Sequence, residues 1–380
     1  MRLRKIIRAA ITVAFGRVGV TRRAEAAPPC PGSYAFLTDS RQIVEAFSKA
    51  NRLLGRDENA FLEDLLEVID ATEVDLFQRA VTSTGTQSAL ERKVRDLVYG
   101  TASCYREVGT LAHLFTRIRR KGVSPLEYTE FNTTNQRRLI VIAQMQQIAQ
   151  ELHDDIVTTA PDDRADVKAI RSANKLNTLL SDALLTLALK TVTDTANVRV
   201  LELFSRSLER FSSSYFDDKE KADAADSTPI MQQWSRYQVR NTEPLANAFE
   251  CSLLLAGANS EELSAARQCG NDLALAIQAI KELDLFLNRE CHGPLGDPRS
   301  LPAILAQEAF NKASEVRRQC CGSSSEAEAE KSQREQRDIV DGMIGVIRRL
   351  TDGVLGYVAD CEASEASEAL RDIAAGIRNT

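Results

Sequence analysis

An all-α fold is expected from three observations. No glycine occurs between Gly122 and Gly257, and only Pro125, Pro161, Pro229 and Pro244 interrupt that span, so backbone breakers are too sparse to stop long helices. The apolar runs at residues 176–189 and 273–287 carry Leu and Ala rather than alternating β-branched residues, which argues against sheet. At 380 residues and 43% hydrophobic content, the chain can also bury a substantial core.

Taken in order, the chain opens on a basic segment. Its first 24 residues carry Arg2, Arg4, Lys5, Arg8, Arg17, Arg22 and Arg23 with no acidic residue before Glu25. Residues 2–15 can form a basic amphipathic helix, which reads as a mitochondrial transit peptide over 1–28. Ile11 to Phe15 would also serve as a short secretory core, but arginines recur beyond it and favour the mitochondrion. Losing those seven charges takes the formal net charge from −6 to −13, and so acidic a body argues against a nucleic-acid partner. The apolar runs are too short and interrupted to span a membrane.

The remainder, 29–380, reads as one helical domain punctuated by polar stretches near 217–228 and 322–337, which read as solvated loops or frayed helix ends. Cysteines at 30, 104, 251, 269, 291, 320, 321 and 361 show no C-x-x-C spacing, so buried free thiols are expected rather than zinc. His113, His153 and His292 are scattered and compose no nucleophile-and-base pattern. Trp234, the only tryptophan, is expected in the core or an interface.

Within this body, residues 139–152 set Val141, Met145, Ile148, Leu152 and Ile156 on one helical stripe, and Asp155 shares that face. Asp154 and Asp155 offer hard oxygen ligands of the kind that bridge Mg2+ to a diphosphate in a D-D-x-x-D arrangement. The third position is Thr158, whose neutral hydroxyl is a poorer cation ligand. The same pair also reads as a solvated acidic step at a helix C-terminus.

Four segments in order give these residues a context. Residues 150–157 (Gln-Glu-Leu-His-Asp-Asp-Ile-Val) are followed by 174–185, with Asn174, Lys175, Leu179, Asp182, Leu184 and Leu185. Next come Asn241-Thr242 and the run 270–286, with Gly270, Leu273, Ala276, Gln278, Lys281, Glu282, Leu285 and Phe286. Together they resemble the first aspartate-rich motif, the G-N-K helix, the Lys-Thr pair and the second aspartate-rich motif of the trans-polyprenyl diphosphate synthases. That resemblance implies an isoprenoid-synthase-type helical bundle around a central cavity. It also implies Mg2+ as cofactor and an activity that extends allylic diphosphates with isopentenyl diphosphate.

The departures from the family pattern bear on activity. Lys281, Glu282 and Leu285 stand where the family has three aspartates, and a lysine repels magnesium. Asn241 replaces the family's diphosphate-binding lysine, and no G-G-K-R-x-R-P segment is present. The pattern resembles the non-catalytic second subunits of decaprenyl diphosphate synthases, in segments 94–100, 135–139 and 362–373 as well. The resemblance implies a mitochondrial subunit of a heteromer that makes the ubiquinone tail, with a catalytic polyprenyl diphosphate synthase partner holding most of the Mg2+.

Residual diphosphate or metal contacts in this chain would fall to Asp154, Asp155, Arg164 and Gln278. Arg164 lies among carboxylates and reads equally as a surface ion pair, and Gln278 as a hydrogen-bonded core residue. Ala149, five positions before Asp154, stands where a small residue in the family permits a long product. A divergent active Mg2+-dependent prenyltransferase using Asp154, Asp155, Glu282 and Asp284 is the alternative, and a helical scaffold outside isoprenoid metabolism is a second.

Overall fold

The computed structural model describes residues 41–54, 107–119, 121, 130–154, 156, 164–214, 229–287, 299–317 and 325–379. The basic segment 1–28 and the polar stretch 217–228 lie outside them. Eleven α-helices run through the described residues. They are α1 (Arg41–Leu54), α2 (Glu107–Thr116), α3 (Glu130–Asp154), α4 (Arg164–Thr193), α5 (Val198–Ser213) and α6 (Ile230–Tyr237). There follow α7 (Val239–Leu255), α8 (Ser260–Leu287), α9 (Leu301–Arg317), α10 (Ser325–Ala359) and α11 (Glu365–Arg378). None is long and apolar enough to cross a membrane. The chain divides into two compact units: Met1–Ser33, Leu54–His113 and Tyr128–Val198 form one, and Tyr34–Leu53, Leu114–Glu127 and Arg199–Thr380 the other.

In the first unit α3 packs on α4. The expected stripe of Val141, Met145, Ile148 and Leu152 is buried, but so is every other residue from Leu139 to Gln150. α3 is thus an enclosed helix rather than a one-sided one. Ile156, expected on the same stripe, falls beyond the helix, in a turn where its amide donates to His153 O.

Polar side chains of α3 serve neighbouring chain ends. Gln144 Oε1 accepts the Gly109 amide in the first turn of α2, where no intrahelical acceptor exists (3.0 Å). Asn135 Nδ2 and Arg138 Nη1 donate to Thr195 O and Asp194 O, the carbonyls just past α4. Ala196 closes that turn at φ 51°, in the left-handed region. Gln146 Oε1 and Gln147 Oε1 are buried with no hydrogen-bond partner among the described residues. At the α3–α4 contact two small buried residues meet, with Ser181 Oγ donating to Ala149 O at 2.8 Å.

In the second unit α8 is the central strut, touching α7, α9, α10 and α11. Asn259 caps it, accepting the Glu261 and Glu262 amides through Oδ1 while Glu262 reaches back to the Asn259 amide. α7 carries Pro244 within it, which removes one ladder bond without ending the helix. Gly270 brings α8 onto α7: a Cβ there would lie 2.9 Å from Ala246 Cα. An ion cluster fastens the same pair of helices, with Arg267 of α8 bonded to Glu243 and Glu250 of α7 and Arg210 of α5 also reaching Glu243.

Phe115 stacks on Phe249 at 3.7 Å between centroids, joining the end of α2 to α7, and Trp234 is fully buried as expected. Cys251, Cys269 and Cys361 are buried free thiols, and burial pushes the first two well above the usual thiol range. Of the two readings for 322–337, loop or helix end, residues 325–337 are helical. They open α10, because the segment is rich in Ala, Glu, Lys, Gln and Arg and free of Gly and Pro.

Two outcomes follow from the α8 contacts. Gly270→Ala forces a methyl group against backbone and is expected to lower stability by about 1–3 kcal/mol, read by thermal denaturation. Asp272, whose carboxylate faces Gly353 of α10, is pushed up to about 6 by burial, against the opposing effect of its bond from Gln268. A carboxyl raised above its unfolded value opposes folding when ionised, so its penalty is present at pH 7.5 and disappears as the pH falls through 6 toward 4. Asp272→Asn is therefore expected to raise Tm at pH 7.5 and to leave it nearly unchanged at pH 4, measured by calorimetry at both values.

Candidate functional site

The residues singled out from the sequence fall in different parts of the chain. Asp154 is the last residue of α3 and Arg164 the first of α4, both in the first unit. Asp155 and Thr158, with the side chains of Asp154 and Arg164, lie outside the described residues. Asn241, Gln278, Lys281, Glu282 and Leu285 all belong to the second unit, on α7 and α8.

Three of these five are brought together. Glu282 is 7% exposed, and among the described residues its two oxygens accept from Gln278, Gln238 and Leu301. Oε1 accepts from Gln278 Nε2 at 2.9 Å and Gln238 Nε2 at 3.2 Å, while Oε2 accepts from the Leu301 amide at 2.6 Å. Asn241 joins through Gln238, donating its Nδ2 to Gln238 Oε1. Gln278 and Glu282 are four residues apart on one helix and so share a face, and both were singled out by the resemblance to the second aspartate-rich motif. Gln238 and Leu301 were not anticipated. The signal for Leu301 was Ser300-Leu301-Pro302, a helix-start pattern, and Gln238 carried none.

The other two positions are more open than Glu282. Lys281 is half-buried and Leu285 is 60% exposed, although both sit within one turn of Glu282. Asp284 is exposed. Thr242 is buried and turns its hydroxyl onto its own helix, donating to Val239 O.

This cluster does not suit a divalent cation. Mg2+ is bound through carboxylate and carbonyl oxygens whose lone pairs face the ion. Here both oxygens of the one buried carboxylate face N–H donors, the flanking positions supply a cation and an alkyl group, and no cluster of three His, Cys, Asp or Glu residues able to hold a metal occurs among the described residues. Each hydrogen bond to a charged group contributes about 1.5–3 kcal/mol, so freeing Glu282 for a metal would be opposed by the loss of several. The carbonyl of Ala149 likewise accepts from Ser181 with both residues buried, so this position packs α3 against α4.

Comparison with known proteins supplies the context for these positions. The polyprenyl synthetase family model matches residues 109–335, which include both motif regions. The chain is 21% identical over 259 residues to a protein named probable hexaprenyl pyrophosphate synthase, mitochondrial, from Yarrowia lipolytica; the match covers 64% of this chain and 57% of that one. Among solved structures, a decaprenyl diphosphate synthase from Rhodobacter capsulatus superposes with a TM-score of 0.61 at 17% identity, covering 88% of this chain and 98% of that one. A polyprenyl synthase from Caulobacter crescentus, solved with calcium and isoprenyl diphosphate, superposes with a TM-score of 0.57 at 17% identity, covering 87% and 97%. The fold is thus the all-helical isoprenoid synthase fold expected from the sequence. With its family model matched across more than half its length, the chain belongs to the polyprenyl synthetase family.

Proposed function

We propose that this chain is a non-catalytic subunit of a heteromeric long-chain trans-polyprenyl diphosphate synthase that makes the isoprenoid tail of ubiquinone in the mitochondrion. One observation carries the reading: at the three positions of the second aspartate-rich motif stand a lysine, an exposed leucine and a glutamate whose oxygens are already bonded inside the protein. Phosphoryl and diphosphate chemistry depends on preorganised charge, so losing such ligands removes orders of magnitude of rate. The mitochondrial assignment is supported by the arginine-rich first 24 residues and by the name of the Yarrowia lipolytica relative.

In this reading the partner synthase holds Mg2+, binds both diphosphates and ionises the allylic one. This chain contributes a folded helical surface and stabilises its mate by mass action, since a partner that binds only the folded form shifts the folding equilibrium. A second reading, a divergent active prenyltransferase, is favoured by the retained Asp154-Asp155 pair.

Incorporation of labelled isopentenyl diphosphate with Mg2+ and an allylic primer separates the two. Turnover by the purified chain is expected to be at least about a hundred-fold below that of the chain co-purified with a catalytic synthase from the same source. The pair's activity is expected to survive Asp154→Ala in this chain and to vanish on aspartate changes in the partner. Turnover by the chain alone that is lost in Asp154→Ala would establish the divergent enzyme instead. A stable monomer that binds neither synthase nor diphosphate would move the chain out of isoprenoid metabolism.

A further inference from the structure

Helix α9 starts without the cap its sequence offers. Ser300 precedes Leu301 and its carbonyl accepts the Ile304 amide at 3.0 Å, which makes it the capping position. A serine there ordinarily turns its hydroxyl onto the free amides of the first turn. Ser300 Oγ instead is buried with no hydrogen-bond partner among the described residues. Pro302 has no amide hydrogen, so in the first two helical positions only Leu301 needs an acceptor, and its amide goes to Glu282 Oε2 at 2.6 Å.

That carboxylate comes from α8, nineteen positions earlier in the chain. It brings negative charge to the positive end of the α9 dipole, where a short charge-assisted bond is favoured. Its other oxygen is held by Gln278 of α8 and by Gln238, the residue between α6 and α7. Asn241 of α7 in turn fixes the Gln238 amide group by donating to its oxygen. Four helices, α6 to α9, therefore meet at one carboxylate.

We propose that Glu282 is a tertiary helix cap: the position that resembles a metal-binding aspartate has become the residue that starts α9 and locks it to α8 and to the α6–α7 junction. Two consequences distinguish this from a merely degraded metal site. The carboxylate works without a bound metal ion, and placing aspartates at 281, 282 and 285 detaches α9 rather than building a metal site. The proposal concerns one compact unit and stands whether or not the chain pairs with a synthase.

Hydrogen exchange on the full chain, with thermal denaturation alongside, tests it. Glu282→Asp shortens the reach by one methylene. It is expected to speed exchange across residues 301–304 by about ten-fold or more and to lower Tm by roughly 3–6 °C, with no recovery in millimolar magnesium chloride. Gln278→Ala, which removes one donor and leaves the cap, is expected to give a smaller change in the same direction. Ser300→Ala is expected to change neither readout, although a working serine cap would be felt. The triple variant Lys281→Asp, Glu282→Asp, Leu285→Asp is expected to match or exceed the loss in Glu282→Asp. The proposal is overturned if Glu282→Asp and Gln278→Ala leave 301–304 protected, if Ser300→Ala alone exposes that segment, or if magnesium restores protection in the triple variant.

Discussion

The backbone contact between α7 and α8 at Gly270 constrains the second unit more than any other. Because a Cβ at that position would meet Ala246 Cα at 2.9 Å, the two helices run closer than ordinary side chains permit. That proximity lets Arg267 reach both Glu243 and Glu250, and it sets the height on α8 at which Gln278 and Glu282 can find Gln238. Spreading the helices would strain the ion cluster and the amide network together. Packing and polar order in this unit are thus two expressions of one distance.

Much of the fold was legible because it depends on local rules. The glycine-free span and the Leu- and Ala-rich runs gave long helices, and α4 and α8 contain the apolar runs from which they were expected. What pattern could not supply was enclosure. The single apolar stripe read from residues 139–152 did not show that the four glutamines among them are buried as well, because covering by other elements is a property of the tertiary structure and not of the helix. The charged start of α10 shows the other side of this: its polarity left loop and helix end open, while its residues are good helix formers.

The site was legible in its positions and not in its bonding. The family resemblance singled out Gln278 and Glu282 together with Lys281 and Leu285, and on α8 the first two are hydrogen-bonded to each other while Leu285 is exposed. That Glu282 would serve an amide nineteen residues onward depends on how the chain returns after α8, which no local pattern encodes. Gln238 was invisible for the same reason, since nothing distinguishes a glutamine at a helix junction from one in solvent until its partner is in place.

The buried thiols of the second unit give the chain a built-in clock. Cys251, Cys269 and Cys361 are shielded, and burial holds the first two in the protonated form that does not attack electrophiles. An alkylating reagent reaches them only through an opening of the helices around them, so their rate of modification, mapped peptide by peptide, counts those openings directly. The folded chain needs no introduced label for such kinetics, and a bound partner that steadies this unit would register as a slowing of the same clock.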